Sequence, residues 1–460
     1  MESKNNNLLL GFYGDDLTGS TDALEFLSCA GAKAMLFFTP PSQKQLNKYP
    51  SLDAVGIAGM TRSMPPKAIE KTLQSAFESL KTIHPKHIHY KVCSTFDSSP
   101  TVGSIGKAID VATKIFNNPF IPLLVAAPHL GRYCTFGNLF ARMGIGSQGE
   151  IYRLDRHPSM QNHPSTPANE SDLKLHLGKQ TKKSIGLLNI LDIEQDFEEN
   201  IEQLNKLQQK GSEIILMDAL YEYQMERIGH LLDYLATNNS PLFSVGSSGI
   251  EKALTDYWRK KRKLTGCTHW EKLEKKEPVL VLSGSCSPIT SNQIEWATAH
   301  NFYEISINPK ILTTKSRTLK ETYTNKIVTL LKEGKNVILH TCRGPKDSRL
   351  RETNSMIKSG ELEDSDIAFS FGNALGQVAK SALEQISIDR LVIAGGDTSG
   401  HVARVLGIES IEMIAPLVKG APICKAHAPN SPVDGIEINF KGGQVGDKNY
   451  FEIISQGQIK

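Results

Sequence analysis

The chain has 460 residues, and at roughly 150 residues per domain this length predicts two to four domains. Its 52 lysines and arginines nearly balance its 49 aspartates and glutamates, so the net charge of +3 argues against the concentrated basic surface of a nucleic-acid-binding protein. No apolar run reaches the roughly 18 residues of a membrane span, and the N-terminus lacks the pattern of a signal peptide.

Short apolar, β-branched runs recur along the chain, and each is followed by an amphipathic segment. In chain order, the predicted strands cover residues 8–13, 54–59, 87–92, 122–127, 213–219, 242–246, 278–284, 336–342 and 390–396. This alternation predicts an α/β protein with two domains, each built on a largely parallel sheet covered by helices. Ligands of such sheets bind at the carboxyl ends of the strands, so functional residues are expected directly after each run.

The charge-dense segment 259–278 (RKKRKLTGCTHWEKLEKKEP) is predicted to separate the domains. It reads as a linker or an exposed helix, because glutamates alternate with the lysines and no series of aromatic residues accompanies them. The predicted domains are therefore 1–258 and 279–460. The irregular stretch 155–172 fits either an ordered loop near a site or a disordered surface loop.

The segment GFYGDDLTGSTDALEFL (11–27) carries two adjacent carboxylates, Asp15 and Asp16, at the end of the first predicted strand. Burying such a pair is costly without partners, so we expect it to bind sugar hydroxyls, hold a cation or accept a proton. The alternative is that Asp16 or Thr18 only caps the following helix.

Cationic and hydroxyl side chains follow two further predicted strands. Arg62 and Lys91 are suited to an anionic substrate group, and Ser94 and Thr95 offer short hydroxyls to sugar oxygens. Each of them alone is equally well explained as a turn residue or a surface charge. Together, at the strand ends of one sheet, they favour a pocket for an acid sugar.

The second half carries glycine-rich turns that suit phosphate. In LVIAGGDTSGHVARVLG (391–407), Gly395 and Gly396 allow close backbone approach, and a helix start follows with unpaired N–H groups. Thr398 and Ser399 can bind phosphate oxygens or cap that helix. A tight turn without a ligand is the alternative.

Two more loops repeat this pattern after strand-like runs. SGSCSPIT (283–290) places Ser283 and Ser285 before a proline suited to a first helical turn, and KGGQVGDKNYF (441–451) contributes Gly443. No P-loop motif and no protein-kinase motif set is present. A G-x-G-x-x-G pattern at Gly144, Gly146 and Gly149 follows a segment predicted to be helical rather than a strand, so we interpret it as a turn.

The motifs GDDLTGSTDA, K-V-C-S-T (91–95), SGSCSPIT and GGDTSG (395–400), in this order, resemble the four-carbon acid sugar kinase family. The resemblance implies an N-terminal α/β domain that binds the acid sugar and a C-terminal α/β domain that binds ATP with Mg²⁺. It also implies an active site in the interdomain crevice. There the terminal hydroxyl of a substrate such as threonate, erythronate or 3-oxo-tetronate would be phosphorylated.

The resemblance also assigns residues to each substrate. On the sugar side these are Asp15, Asp16, Arg62, Lys91, Ser94 and Thr95. On the nucleotide side they are Ser283, Ser285, Gly395, Gly396, Asp397, Thr398, Ser399, Gly400 and Gly443. Asp16 is the first candidate for the catalytic base and Asp397 the second, with a role of Asp397 at Mg²⁺ or ribose left open.

Departures from the family pattern leave the substrate open. Phe96, Asp97 and Ser98 replace a usual Leu-Arg-Gly, and KGGQVG (441–446) replaces Lys-Ser-Gly-Asn-Phe-Gly. The long segment around 131–167 resembles a branch that acts on branched acid sugars such as 3-oxo-isoapionate, the alternative substrate. An alternative of another class is a non-catalytic sugar-acid sensor, which would not need the nucleotide loops. A nicotinamide-dependent oxidoreductase would need a G-x-G-x-x-G motif directly after a strand.

The expected partners are therefore an acid sugar and ATP, with no nucleic acid and no membrane. The sequence leaves the oligomeric state open between a monomer and a homodimer. Seven cysteines without a C-x-x-C pair predict reduced thiols and a cytoplasmic protein, rather than a disulfide framework or a zinc site.

Overall fold

The computed structural model describes residues 8–143, 149–161, 163, 166–236, 241–264, 270–313, 317–362 and 367–458. The chain divides into two compact units, Met1–Thr268 and His269–Lys460. No helix within the described ranges is both long and apolar enough to cross a lipid bilayer. The six cysteines within these ranges are free thiols, and Cys267 lies outside them.

The described residues of the first unit form eleven strands and ten helices. The strands are β1 (Leu10–Gly14), β2 (Ala34–Phe37), β3 (Ala54–Ala58), β4 (His87–Lys91), β5 (Ile121–Leu124), β6 (Arg132–Thr135), β7 (Asn138–Arg142), β8 (Ile151–Arg153), β9 (Ile185–Leu188), β10 (Ile214–Met217) and β11 (Leu242–Gly246). The helices are α1 (Leu17–Cys29), α2 (Gln43–Leu46), α3 (Pro66–Thr82), α4 (Ile105–Ile115), α5 (Pro158–Gln161), α6 (Leu173–Gly178), α7 (Ile190–Ile193), α8 (Phe197–Gln209), α9 (Tyr223–Leu235) and α10 (Gly249–Lys260). Short 3-10 helices cover Thr61–Ser63, Pro128–Leu130 and Leu154–Arg156.

The main sheet of this unit is parallel, with the strand order β2-β3-β1-β4-β11-β5-β10-β9. Its central strands are apolar runs buried on both faces, as parallel sheets covered by helices require. The register pairs Gly14 with Ala58 on one side and with Lys91 on the other, and Lys91 with Gly246. Four strands therefore end at one level, which brings the residues that follow them together.

Helix α3 shows how the sequence fixes this scaffold. Its buried residues Ile69, Leu73, Phe77 and Leu80 recur at helical spacing, so they form one apolar face. The Phe77 ring lies 5.1 Å from that of Phe243 on β11, centroid to centroid. Burial of such a side chain contributes roughly 1.5–3 kcal/mol, so this face holds the helix against the sheet.

A second, antiparallel sheet in the order β6-β7-β8 was not predicted. Residues 138–142 form strand β7, so the prediction of a helical segment before Gly149 is wrong. The exposure of β7 alternates along the strand, as it does in antiparallel strands covered on one face. Gly144 and Gly146 lie outside the described residues, as do 162, 164 and 165 of the irregular stretch 155–172.

Seven strands and six helices form from the part of the second unit that the structure describes. The strands are β12 (Val279–Ser283), β13 (Phe302–Ser306), β14 (Asn336–His340), β15 (Arg390–Ala394), β16 (Ser410–Val418), β17 (Ala421–His427) and β18 (Glu437–Lys441). The helices are α11 (Pro288–Thr298), α12 (Arg317–Lys332), α13 (Ser348–Lys358), α14 (Ile367–Leu383), α15 (Asp397–Val405) and α16 (Tyr450–Gln456), with a 3-10 turn at Pro309–Leu312.

The sheet of this unit runs β13-β14-β12-β15-β18-β17-β16 and is parallel as far as β18, where β17 pairs antiparallel with both of its neighbours. The register pairs Ala394 with Ser283 on one side and with Lys441 on the other. The three glycine-rich loops predicted from the sequence therefore leave adjacent strands at one level. The predicted separating segment 259–278 begins within the last residues of α10. Residues 265–269 of this segment lie outside the described residues.

Candidate active site

Backbone hydrogen bonds assemble the charged residues of the first unit. The Asp15 N–H donates to the Lys91 carbonyl oxygen over 2.9 Å, and the Arg62 N–H donates to the Asp15 carbonyl oxygen over 3.1 Å. Asp15 and Asp16 thus follow β1, Arg62 lies in the 3-10 turn after β3, and Lys91 ends β4. The structure brings together these four residues that the sequence predicted.

Arg62 contacts both carboxylates. Its Nε and Nη2 atoms donate to Asp15 Oδ2 and Oδ1 over 3.1 and 2.7 Å, and its Nη1 donates to Asp16 Oδ2 over 2.7 Å. A guanidinium group carries five N–H donors, so two remain for a ligand. The Arg62 side chain is 22% exposed, whereas that of Asp15 is 2% exposed. Arg62 is therefore the accessible member of this pair.

Burial and charge oppose each other in this cluster. Burial raises the pKa of Asp15 to about 6, with Arg62 acting in the opposite direction. For Arg62 itself, burial works against the charge, but Asp15 and Asp16 outweigh it and raise the pKa above its usual value. The guanidinium group therefore stays charged and stabilises both carboxylates.

Asp16 also caps helix α1, so the capping role and the charged cluster coexist. Its Oδ1 accepts a hydrogen bond from the Gly19 N–H over 2.7 Å. A Cβ atom at Gly19 would lie 2.7 Å from Asp16 Oδ1, 3.2 Å from Lys91 Nζ and 3.6 Å from Arg62 Nη2. The absence of a side chain at Gly19 therefore permits close contact between the start of the helix and the charged groups, at a half-buried position.

Lys91 is a buried residue with two carboxylate neighbours, Asp22 and Glu251, that were not predicted as site residues. Its Nζ lies 3.7 Å from Asp22 Oδ2 and donates to the Val92 carbonyl oxygen. Burial works against its charge, yet neighbouring carboxylates, Asp22 foremost, raise the pKa of Lys91. Its ammonium group is therefore a permanent positive charge behind Gly19.

Glu251, on the first turn of α10, is fully buried. Its Oε1 lies 3.6 Å from Nε2 of His89, and neither of its carboxyl oxygens accepts a hydrogen bond from another described residue. Burial raises the pKa of Glu251 to about 8 and lowers that of His89 to about 3. Because Glu251 directly follows the turn after β11, its place after a strand end was a signal that could have identified it.

The hydroxyl residues after β4 form hydrogen bonds within their own loop, and Ser98 also contacts His176 and Gln180. Thr95 Oγ1 donates to Asp97 Oδ1 over 2.7 Å, and Ser98 Oγ donates to the Phe96 carbonyl oxygen. Phe96 is buried with φ +57°, a conformation that is uncommon for a bulky residue. Ser94 is half-buried. The substitution of Phe96–Ser98 for the usual family residues therefore shapes a tight turn beside the charged cluster.

The three glycine-rich loops of the second unit converge. The Gly284 N–H donates to the Ala394 carbonyl oxygen and the Gly395 N–H donates to the Lys441 carbonyl oxygen, each over 2.9 Å. A Cβ atom at Gly284 would lie 2.4 Å from Thr398 Cγ2, and one at Gly443 would lie 3.1 Å from Ser285 Oγ. The glycines are therefore required for this close approach.

Helix α15 begins at this convergence. Gly395 adopts φ +138°, where a side chain would be strained, and its carbonyl oxygen accepts a hydrogen bond from Ser399 Oγ. No described side chain caps the first turn after Gly396. A Cβ atom built on Gly396 meets no described atom within 4 Å, so that face of the backbone borders open space. The side chain of Asp397 lies outside what the structure describes, so its predicted roles stay predictions.

A buried network lies beneath these loops. Ser285 Oγ and Lys441 Nζ each donate to Thr290 Oγ1 over 3.0 Å, and Thr290 Oγ1 donates to the Gly443 carbonyl oxygen over 3.1 Å. Ser283 is fully buried at the end of β12. Lys441 and Thr290 were not among the predicted site residues, although Lys441 ends strand β18, where ligand-binding residues are expected. Among the described residues, there is no group of three or more His, Cys, Asp or Glu side chains that could hold a metal ion.

Two family models match the chain. A sugar-binding N-terminal domain model matches residues 10–254, and a nucleotide-binding C-terminal domain model matches residues 280–451. The first match contains the cluster around Arg62, and the second contains the three converging loops. Each model therefore covers the residues to which the sequence analysis gave the corresponding role.

Full-length relatives agree with these matches. A 3-oxo-isoapionate kinase from Paraburkholderia graminis is 36% identical over 98% of this chain and 95% of its own length. A 3-oxo-tetronate kinase from Pseudomonas savastanoi is 27% identical over 98% of this chain and 97% of its own. A 3-oxo-tetronate kinase from Salmonella typhimurium is 26% identical over 96% of this chain and 98% of its own.

Solved structures show the same fold. A crystal structure from Salmonella typhimurium, solved under a provisional tRNA synthase name, matches with a TM-score of 0.74 and 24% identity over 97% of this chain and 98% of that chain. A Haemophilus influenzae structure matches with a TM-score of 0.70 and 22% identity over 97% of this chain and 99% of that chain. With two domain models and full-length kinase relatives in agreement, this chain belongs to the four-carbon acid sugar kinase family and is a phosphotransferase with an alcohol group as acceptor.

Proposed function

We propose that the chain transfers the γ-phosphoryl group of ATP to a hydroxyl group of a branched acid sugar of the 3-oxo-isoapionate type. The observation that carries this choice is the difference in identity between relatives matched over comparable lengths. The 3-oxo-isoapionate kinase is 36% identical over 455 residues, whereas a 3-oxo-tetronate kinase is 27% identical over 453 residues. The branched substrate, the alternative in the sequence analysis, therefore takes precedence over the four-carbon acid sugars, which become the second candidates.

The cluster in the first unit supports an acid-sugar site. The two free N–H donors of Arg62 and the charge of Lys91 would attract the substrate carboxylate. The half-buried helix turn at Gly19 would border the sugar beside Asp16. As the substrate hydroxyl oxygen bonds to the γ-phosphorus and the bond to ADP breaks, Asp16 would accept the hydroxyl proton. Ser94 and Thr95 would border this substrate from the loop after β4.

The loops of the second unit support a nucleotide site. The N–H groups at the start of α15 and the backbone of Gly395, Gly396 and Gly443 would bind the phosphates of the Mg–ATP substrate. Ser283, Ser285, Thr398, Ser399 and Gly400 would complete this site. Protein sites bind Mg²⁺ with one or two carboxylates and leave the rest to phosphates and water, and Asp397 is the candidate carboxylate.

Phosphoryl transfer requires the sugar hydroxyl and the γ-phosphate to meet in line. The proposal therefore includes an active site in the interdomain crevice when both substrates are bound. A sugar-acid sensor, the rival of another class, would leave the three converging glycine loops and the nucleotide-binding domain match without a role.

The test is an ADP-release assay of the full chain with Mg–ATP and a panel of acceptors. The panel contains 3-oxo-isoapionate, 3-oxo-tetronate, threonate and erythronate, and an assay without acceptor corrects for ATP hydrolysis. We expect kcat/KM to be highest for 3-oxo-isoapionate, by about tenfold or more, the discrimination that one or two pocket contacts provide. A higher kcat/KM for 3-oxo-tetronate would reverse the choice of substrate, and no acceptor-dependent ADP release from any of the four would refute both candidates.

A further inference from the structure

Lys441 is a buried lysine without an anionic partner among the described side chains. It is 1% exposed, and its Nζ donates to Thr290 Oγ1 over 3.0 Å and to the Gly442 carbonyl oxygen over 2.9 Å. Both acceptors are uncharged. Burying an ammonium group is costly unless an opposite charge compensates it. The compensating charge is therefore to be sought in a ligand.

The position of Lys441 indicates which ligand supplies that charge. Lys441 is the last residue of β18, and its carbonyl oxygen accepts the hydrogen bond of Gly395 at the start of the GGDTSG loop. Through Thr290, its Nζ is two hydrogen bonds away from Ser285 Oγ. The lysine thus lies beneath two of the three loops to which the proposed function assigns the nucleotide phosphates.

The other groups around the ammonium do not replace a counter-charge. Helix α16 presents the ring of Tyr450, whose centroid is 5.5 Å from Nζ, and the hydroxyl of this tyrosine donates to Asn439. Helix α11 presents Thr290 and the neutral amide of Gln293, which donates to the carbonyl oxygens of Val445 and Gly446. Strand β15 presents the backbone of Ala394, and Lys425 on β17 is exposed and pairs with Glu437, four residues before Lys441. Burial alone lowers the pKa of Lys441 to about 7.

We propose that Lys441 is a positioning residue of the nucleotide site, and that its amine takes up a proton when the phosphates of a nucleotide occupy the adjoining loops. This inference rests on the proposed function. Without nucleotide, the Lys441 amine is uncharged above about pH 7, so its burial costs little free energy. The phosphate charge restores the ammonium form, which then holds Thr290 and, through it, Ser285 and the Gly443 loop in place. Because Lys441 is covered by the loops, it acts on the phosphates through these residues rather than by contact.

The experiment is titration calorimetry of the full chain with Mg–ADP at pH 8, in buffers with different ionisation enthalpies. The dependence of the binding enthalpy on the buffer gives the number of protons taken up. ADP phosphates, with a second pKa near 6, are already ionised at this pH, so they contribute little. We expect roughly 0.5–1 proton per ADP in the wild type and in the K425M control, which alters an exposed lysine of the same sheet, and close to none in K441M.

The pH dependence of affinity gives a second readout, which a purely structural role would not change. Only the protonated form binds tightly, so wild-type affinity should fall about tenfold more than that of K441M between pH 6 and pH 8. If K441M does not fold, the wild-type series decides, since uptake at pH 8 should disappear near pH 6, where the amine is already protonated. ADP binding without proton uptake at pH 8, or equal uptake by K441M and wild type, would overturn the inference and leave the proposed function intact. No binding of ADP would refute both.

Discussion

At the scale of single residues, the charged cluster of the first unit depends on Arg62. It compensates two carboxylates that no other described cation contacts at hydrogen-bond distance. Removing a partner from a buried pair costs about 3–5 kcal/mol, because it leaves an uncompensated charge. Substitutions of Arg62 would therefore mix folding with function, and the cluster is better tested at Asp16.

The D16N substitution tests the catalytic base. Asparagine caps helices as well as aspartate does, so helix α1 should keep its N-terminal hydrogen bond to Gly19. The amide cannot accept the hydroxyl proton, and kcat should fall roughly 100-fold or more. Thermal shift by Mg–ADP should persist.

The matched control is D196N, because Asp196 caps helix α8 in the same way and is exposed. Its kcat should equal that of the wild type. If D16N retained near-normal turnover, Asp16 would not be the base, and Asp397 would become the first candidate.

Glu251 gives a prediction about stability. Its pKa of about 8 in the folded chain lies above the ordinary value of 4.5, because burial outweighs the opposing charge of Lys91. The folded state therefore binds this proton more tightly than the unfolded state. Wild-type stability should decline by up to a few kcal/mol as the pH rises from about 4.5 to about 8. The E251Q variant lacks this titration. The difference in unfolding free energy, E251Q minus wild type, should therefore be more positive at pH 9 than at pH 5.

Urea unfolding at the two pH values measures this difference. The control is E70Q, since Glu70 is partly exposed and its pKa is lowered by hydrogen bonds from Lys114 and Lys107. That substitution should bring no gain at pH 9. Equal differences between E251Q and wild type at both pH values would show that Glu251 is ionised in the folded chain.

At the scale of elements, the convergence of the glycine loops depends on the absence of side chains. The G284A substitution places a Cβ atom 2.4 Å from Thr398 Cγ2 and Oγ1. The loops must then separate, at a cost of roughly 1–3 kcal/mol in unfolding free energy, and the affinity for Mg–ADP should fall. Thr398 Cβ would lie 2.6 Å from the new methyl group as well, so G284A/T398G is the double variant that removes these three atoms. It should be about as stable as T398G alone, as measured by urea unfolding. A single variant as stable as the wild type would contradict this account of the loop packing.

Most strands that carry the site were predictable from the sequence, whereas β18, which ends at Lys441, and the antiparallel strands β16 and β17 were not. Strands β12 (VLVLS) and β15 (RLVIA) are short, largely apolar runs with β-branched residues, a pattern typical of a buried strand. Strands β1 and β4 are buried along their whole length as well. Strands β16 and β17 contain Pro416 and Pro422 and pair antiparallel. Proline weakens a strand prediction because it cannot donate to the ladder.

The site was predictable to a similar degree. Asp15, Asp16, Arg62 and Lys91 follow from the rule that ligands bind at strand ends, and the structure brings them together. Glu251 and Lys441 obey the same rule, yet their importance lies in burial, which outweighs the charge of Lys91 at Glu251 and meets no described counter-charge at Lys441. That property depends on the elements packed around them, so a local sequence pattern does not reveal it.

At the scale of the whole molecule, the two units carry different chemistry. The residues assigned to the sugar lie in Met1–Thr268, and those assigned to the nucleotide lie in His269–Lys460. The two family models divide at the same region of the chain. We therefore expect that a substitution in a glycine loop of the second unit weakens nucleotide binding and leaves the affinity for the acid sugar unchanged.

Titration of G396A with Mg–ADP and with 3-oxo-isoapionate tests this claim most directly. The added methyl group meets no described atom within 4 Å, so the fold should be unchanged, and only a ligand bound against the backbone at 395–400 would contact it. The control is G178A at the end of α6, where a Cβ atom likewise has no neighbour within 4 Å. We predict that G396A weakens Mg–ADP binding about tenfold or more, the effect of losing about 1.4 kcal/mol, while its melting temperature and its affinity for the acid sugar match those of G178A. An unchanged affinity for Mg–ADP would contradict the assignment of the nucleotide to this loop.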